Sequence, residues 1–395
     1  GQDTEGEMQD VIDMKLNDVV SRIRGKPGSM VRLGIIPEKS TESKVLTIKR
    51  AKIELKDSEA RGDIIEYKDP DSKKTLHIGV INLPSFYMDM DAARRGEKDY
   101  RSTTRDCRRI IEGFKEEGID GMIMDLSTNG GGSLTESIDL TGLFIDLGTV
   151  VQVKDPSGRV QQYDDRTEGT SYDGPLVVLC SKFSASASEI FAGAIVDHGR
   201  GIVVGDSTTH GKGTVQNFLE LGSRFFNISN PPNLGALKIT MQQFYRPGGD
   251  STQQRGVYSD IVLPSITDHM KVSESDLDYP VAFDKVENEV SEELLSRDKD
   301  LIASLKEASQ ERVKGSKDFQ KLKEQIAEYK KQQESKRVSL KEDVFFAKKE
   351  ENSAQEEAQE NLEKRANGDT DVFPDTFYNQ EVLNITSEYI RAQSK

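Results

Sequence analysis

This 395-residue sequence is short of cysteine, histidine, positive charge and long apolar runs, and each shortage closes a door. Its two cysteines, Cys107 and Cys180, show no metal-ligand spacing, and Cys180 sits in the apolar run "PLVVLC", where it reads as a buried thiol. No stretch approaches the ~18 apolar residues that a membrane span requires. Lys and Arg number 54 against 69 Asp and Glu, a net charge of −15, which argues against a nucleic-acid partner because phosphate binding needs a clustered positive face. There are only four histidines and no Gly-x-Ser-x-Gly elbow, so the commonest signature of a serine hydrolase is missing. The opening "GQDTEGEMQD" does not read as a secretory leader, and the expectation is a leader already removed or a start inside a longer protein.

What is present falls into three compositional regions. Up to about residue 55, a short helical pattern, "LNDVVSRIRG", is followed by the strands "SMVRLGIIP" and "KVLTIKRAKIEL". Leu16, Val19, Val20 and Ile23 recur at helical spacing and Gly25 is the expected stop. From about 76 to 265, strands alternate with helices: "LHIGVINL", "STTRDCRRIIEGFKEEG", "DGMIMDL", "SLTESIDLTGLFID", "PLVVLC", "SASASEIFAGAIVDHG" and "GIVVGD". Strand, helix, strand with short connections predicts a parallel sheet with crossover helices. Beyond about 285 the sequence is charged and Gln-rich. There Phe319, Leu322, Ile326 and Tyr329 form one narrow apolar stripe, as expected of a helical appendage packed on the core. The stripe is too short for a coiled-coil seam.

Three segments carry chemistry. "SASASEI", residues 184–190, places three serines where a strand gives way to a helix. The carboxyl ends of parallel strands and the free N–H groups of a helix N-terminus are natural places for an anion. Ser186 followed by Glu189 is also a capping box, which needs no catalysis. "DLSTNGGGSLTES", residues 125–137, ends a buried strand in three glycines, whose backbone can approach a substrate and turn N–H groups toward an oxyanion; a flexible turn is the plainer reading. "GDSTTHGKGTVQ", residues 205–216, fails as a phosphate loop because five residues separate Gly205 from Gly211 and Gly213 stands where Ser or Thr should hold magnesium. What remains is Lys212 between two glycines. Such a lysine is ordinarily a solvated charge, but in an apolar enclosure it becomes a base near neutral pH.

Together, "DLSTNGGGSLTE", "FSASASEIFAGAIVDHGR" and "HGKGTVQ" occur in the order and approximate spacing of the carboxy-terminal processing (tail-specific) serine proteases, and the sequence resembles their periplasmic branch over nearly its whole length. The resemblance implies an α/β fold: a crotonase/ClpP-like parallel-sheet protease core over 56–268, preceded by the C-terminal part of a PDZ domain (1–55) and followed by a charged helical domain (269–395). By motif it implies Ser186 as nucleophile, Lys212 as general base and Gln216 as the residue orienting that lysine. Gly131 and Gly132 match the oxyanion region, with the N–H of Ala187 a second donor. Asp197 matches an aspartate linked to activity in relatives. Eleven residues along a helix is about 16 Å from Ser186, so a structural or helix-end role is the expectation for it.

Further implications are no metal or organic cofactor, polypeptide substrates selected through apolar C-termini, a lipoprotein adaptor as a candidate partner, and a bacterial periplasmic setting. Two departures stand out. Ser127 replaces an arginine usual in the family, and His210 lies in a loop one residue longer than usual. If that loop is extended, His210 and Lys212 share a face, which keeps a histidine base open. The PDZ segment has no "GLGF"-like loop before its helix, so weak capture of terminal carboxylates is expected. Two other functional classes stay open beside the protease: a silent peptide-binding scaffold and a crotonase-type acyl-CoA enzyme.

Overall fold

The computed structural model describes residues 1–37, 42–51, 59–226, 228, 231–232, 234–290, 297–334, 341 and 371–393. They divide into two compact units, Gly1–Lys56 and Asp57–Lys395.

In the first unit, helix α1 (Leu16–Ile23) precedes an antiparallel pair, β1 (Met30–Ile35) and β2 (Lys44–Lys49), in register from Met30↔Lys49 to Ile35↔Lys44. The helix stops at Ile23, two residues before the expected glycine, because Arg24 turns extended while its N–H still reaches the Val20 carbonyl. Val31 is this unit's one fully buried apolar side chain among the described residues, and every side chain of β2 is exposed. The end of the predicted strand "KVLTIKRAKIEL" lies outside the described residues.

The second unit is built on a six-stranded sheet. Its strands are β3 (Arg61–Lys68), β4 (Thr75–Asn82), β5 (Gly121–Asp125), β8 (Leu176–Cys180), β9 (Ile202–Gly205) and β12 (Ile261–Val262), in spatial order β12-β9-β8-β5-β4-β3. All neighbours are parallel except the β3–β4 edge pair. Strands β5, β8 and β9 are buried at every position because both faces are covered, as parallel sheets require. Alternation then sorts the side chains. Met122, Met124, Val178 and Cys180 point into one core with α3 (Thr103–Glu117), α4 (Leu134–Thr141) and α5 (Ala187–Asp197). Ile123, Val177, Leu179 and Val204 point into the opposite core. That second face is closed by the C-terminal helices α7 (Lys299–Gly315), α8 (Lys317–Glu334) and α9 (Phe377–Gln393), through Leu305, Val313, Phe319, Val382, Ile385 and Tyr389. The apolar stripe of α8 enters this core at its head, where Phe319 meets the rings of Phe377 and Tyr378 on α9.

Helix boundaries follow local chemistry. The Ser102 hydroxyl caps α3 by accepting the Arg105 N–H, and Gly118 ends it at φ 75°, a left-handed conformation that favours glycine. Helix α4 is shorter than the sequence suggests, stopping at Thr141 before "GLFID".

A second sheet escaped the sequence reading. It is antiparallel, in the order β10-β11-β6-β7, from β6 (Gly148–Lys154), β7 (Val160–Asp165), β10 (Thr214–Glu220) and β11 (Ala236–Tyr245). Helix α5 lies between the two sheets. Ala187, Phe191 and Ile195 enter the first core, while Ile190 and Ala194 pack with Val151, Val153 and Phe244 beneath the second sheet. This explains why "IFAGAIV" is apolar all round rather than striped.

Candidate active site

The turn that carries Ser186 joins the carboxyl end of β8 to α5. The three serines of "SASAS" have different jobs. Ser184 and Ser188 are fully buried. The Ser184 hydroxyl donates to the Leu126 carbonyl at 2.7 Å and accepts the Ser181 N–H at 2.9 Å. The Ser188 hydroxyl donates to the Asn129 carbonyl at 2.8 Å, which also receives the Ala185 N–H at 3.0 Å. Both side chains therefore stitch this turn to the loop after β5. Ser184 precedes the helix, so the two are united by that loop rather than by the shared helical face that their four-residue spacing suggests. Ser186 sits between them at φ 56°, ψ −110°. A non-glycine residue there costs on the order of 1–3 kcal/mol and persists only when its surroundings hold it.

The glycine loop meets this turn closely. Gly131 has φ 101°, and a Cβ there would lie 2.7 Å from the Ala185 oxygen and 2.8 Å from Ser186 Cβ. Its N–H, however, donates to Asn129 Oδ1 at 2.8 Å. Gly131 thus serves by close approach rather than as a donor. Gly132, at φ 150°, bridges to Phe86, leaving no room for a side chain. Among the described residues, neither the Gly132 nor the Ala187 N–H has a hydrogen-bond partner. Those two amides remain available to an acceptor placed beside Ser186.

The lysine arrives on the segment leading into β10. Lys212 is half-buried, and burial lowers its pKa, helped by the Lys238 charge and opposed by Glu274 and Glu189. A base with less preference for its proton is what an unassisted lysine needs to work near neutrality. The loop is fixed by Gly213 N–H to Gln253 Oε1 at 2.8 Å and by the Thr252 hydroxyl to the Lys212 carbonyl at 2.8 Å. A cavity of about 210 Å³ is lined by Gly132, Ser186, Ala187, Lys212 and Gln216, together with Leu134, Ile190, Thr214, Val215, Lys238 and Phe244. A register shift between Val215 and Gln216 interrupts β10 at this point, a bulge of the kind that re-aims side chains beside a site. Hollows of about 490 and 370 Å³ elsewhere gather none of these residues.

His210 does not line the cavity. Its backbone N–H donates to the Ser184 carbonyl at 3.0 Å, and burial lowers its pKa. Asp197 is also elsewhere. At the far end of α5 it forms a two-pronged ion pair with Arg246, whose Nε lies at 3.2 Å, and accepts the Gly248 N–H at 2.9 Å. At Ser127, the N–H and hydroxyl donate to Asp125 Oδ1 at 3.0 and 2.7 Å. Both cysteines are free and buried, and burial raises their pKa values. Among the described residues, no His, Cys, Asp and Glu cluster is placed to hold a metal, and no helix is long and apolar enough to cross a membrane.

The sequence reading passed over Asn129, Lys238 and Arg246, and saw Glu189 only as a cap. The Ser-x-x-Glu spacing was the available signal for Glu189. Arg246 had no local mark, because its partner Asp197 is 49 residues away on α5, and Asn129 joins its own loop to Leu83 and Ser188 as well as to Gly131.

Residues 77–263 match the family described as Peptidase family S41, and residues 267–391 match the C-terminal domain of tail specific protease. A tail-specific protease from Haemophilus influenzae is 38% identical over 281 residues, covering 71% of this chain and 37% of that protein. A carboxyl-terminal-processing protease from Picosynechococcus is 28% identical over 302 residues, covering 76% of this chain and 63% of its own length. This chain therefore spans less than two thirds of either relative. The solved photosystem II D1 C-terminal processing protease superposes with a TM-score of 0.44 at 22% identity, over 63% of this chain and 59% of its own.

Proposed function

We infer, for a chain whose residues 77–263 belong to peptidase family S41 and whose residues 267–391 belong to the C-terminal domain of tail-specific proteases, that it is a serine endopeptidase working through a Ser–Lys dyad. The observation that carries this reading is the cavity itself, which gathers Gly132, Ser186, Ala187, Lys212 and Gln216 from three separate loops and strands.

The chemistry follows from the groups present. Ser186 Oγ attacks the scissile carbonyl as its proton passes to neutral Lys212 Nζ. Negative charge developing on the carbonyl oxygen is met by the Gly132 and Ala187 N–H groups, reinforced by the positive end of α5. Lys212 returns the proton to the leaving amine, giving an acyl-enzyme. Water, deprotonated by the same lysine, releases the acid and restores the serine. Gln216, which lines the same cavity, is the residue that orients the lysine in this reading.

The substrates in this reading are unfolded or tagged polypeptides recognised through their C-termini, with the first unit acting as the C-terminal part of a PDZ domain. The periplasm is the matching compartment, and an adaptor lipoprotein is a compatible partner. A serine-directed fluorophosphonate tests the core of it. Labelling of the wild type, absent in Ser186→Ala and accompanied by parallel loss of unfolded-protein digestion, is expected. Equal labelling of both proteins would sink the assignment, and binding of coenzyme A in place of labelling would favour an acyl-CoA enzyme.

A further inference from the structure

The most heavily bonded carboxylate at the site is one to which the dyad mechanism gives no part. Glu189, in the first turn of α5, is fully buried. Its Oε2 accepts the Ser186 N–H at 2.8 Å and the Lys212 N–H at 3.0 Å. Its Oε1 accepts the Thr209 hydroxyl at 2.7 Å and the Gly211 N–H at 2.7 Å. A helix cap accounts only for the first of these. The other three donors come from the separate segment that delivers the lysine. That segment is gripped on its other side by the turn at 252–254, through Gln254 N–H to the Gly211 carbonyl at 2.7 Å and the Thr252 and Gln253 contacts already described.

We propose that Glu189 is a positioning residue whose ionised carboxylate fastens the serine-bearing turn to the lysine-bearing loop, and so aligns nucleophile and base. The proposal rests on the serine-peptidase reading. Its physical basis is an acceptor count. An ionised carboxylate offers only acceptors, and here four donors converge on it. Once protonated, one oxygen becomes a donor facing donors, and at least one of the four hydrogen bonds, three of which join the two segments, is lost. Burial pushes the Glu189 pKa up to about 7, with the Thr209, Gly211, Ser186 and Lys212 hydrogen bonds opposing that rise. The titratable groups coupled to it are Lys212, on the facing loop, and the Cys180 thiol of β8, which burial keeps neutral. Lys212 in turn feels Lys238 of β11, Glu274 and the neighbouring His210. The clamp therefore loosens as pH falls through neutrality, on the same side of the profile where Lys212 gains its proton.

Two measurements test this. In log kcat against pH for a peptide substrate, wild type should fall with a slope approaching two over the pH units just below the Glu189 pKa, one proton for Glu189 and one for Lys212, before easing to one where the protonated clamp's residual rate takes over. Glu189→Gln should fall with a slope of one, from a plateau roughly 100-fold lower, since small misalignments of reacting groups cost about that much. Its KM should stay within about threefold of wild type. The second measurement needs no catalysis and no change at Glu189. In the Ser186→Ala protein, amide hydrogen-exchange protection of Gly211 and Lys212, corrected for intrinsic exchange, should drop between pH 8 and pH 6. Unchanged protection over that range overturns the proposal even if the protein proves to be no peptidase. Retention of slope two and of kcat within about threefold in Glu189→Gln overturns it equally.

Discussion

Removing the Asp197 carboxylate should cost stability first and rate only through it, and the size of that cost follows from its surroundings. The pair it forms with Arg246 is largely buried, with side-chain exposures of 7% for Asp197 and 16% for Arg246. Gly248 spends its N–H on the same carboxylate. Arg246 lies against α5 where Gly193 leaves a notch: a Cβ there would come within 2.9 Å of the arginine Cγ. Breaking a buried pair by deleting one partner typically costs about 3–5 kcal/mol, because the other charge is left desolvated and alone. For a unit of this size that lowers Tm by about 4–7 °C. Asp197→Ala and Arg246→Ala should therefore destabilise to similar extents in urea unfolding. The double variant should cost about 2–3 kcal/mol less than the sum of the two, the signature of direct coupling. Measured well below the lower Tm, where both stay folded, the two single variants should retain peptidase activity to the same extent, since each loosens the same anchor between α5 and the end of β11. A proton relay through Asp197 predicts something else: Asp197→Asn would collapse kcat by orders of magnitude while Arg246→Ala left it near wild type. That outcome would refute the anchoring account.

Lys212→Ala should abolish turnover with the fold intact by circular dichroism, and wild-type activity should climb with pH through the lowered lysine pKa; His210→Ala should keep most activity, and the reverse pattern would reassign the base. Glu189 also predicts a stability trend opposite to its activity trend. Its folded pKa is raised from 4.5 to about 7, so the folded state holds the proton more tightly than the unfolded chain, and stability from this group is full below about pH 4.5 and lost as pH rises toward and past 7. The shift corresponds to roughly 3 kcal/mol, lost by wild type relative to Glu189→Gln between pH 4.5 and 8 in denaturant titrations; parallel pH profiles for the two proteins would contradict it.

Local pattern was enough to recognise much of this protein. The apolar runs 121–124, 176–180 and 202–205 are legible as buried parallel strands because both faces of such a sheet are covered, so neither face needs polar residues. Ser102 and Gly118 bracket α3 through chemistry confined to a few residues. Ser186, Lys212 and the glycine loop each have a plainer local reading, as a cap, a surface charge and a turn, and stood out only through their joint resemblance to a family. Tertiary structure decided what pairwise distance decides. The antiparallel sheet of β6, β7, β10 and β11 depends on pairings between strands up to about ninety residues apart, with mixed exposure that hides any clean alternation. Only in three dimensions does Gly131 lose its N–H to Asn129 while Gly132 and Ala187 keep theirs, and only there does Asp197 meet Arg246. Glu189 shows the division most sharply. Its spacing from Ser186 announces a helix cap, whereas its grip on Thr209, Gly211 and Lys212 exists because burial between two sheets brings a distant loop within hydrogen-bond reach. A one-dimensional pattern records periodicity and local caps; which donor fills which acceptor is settled by packing.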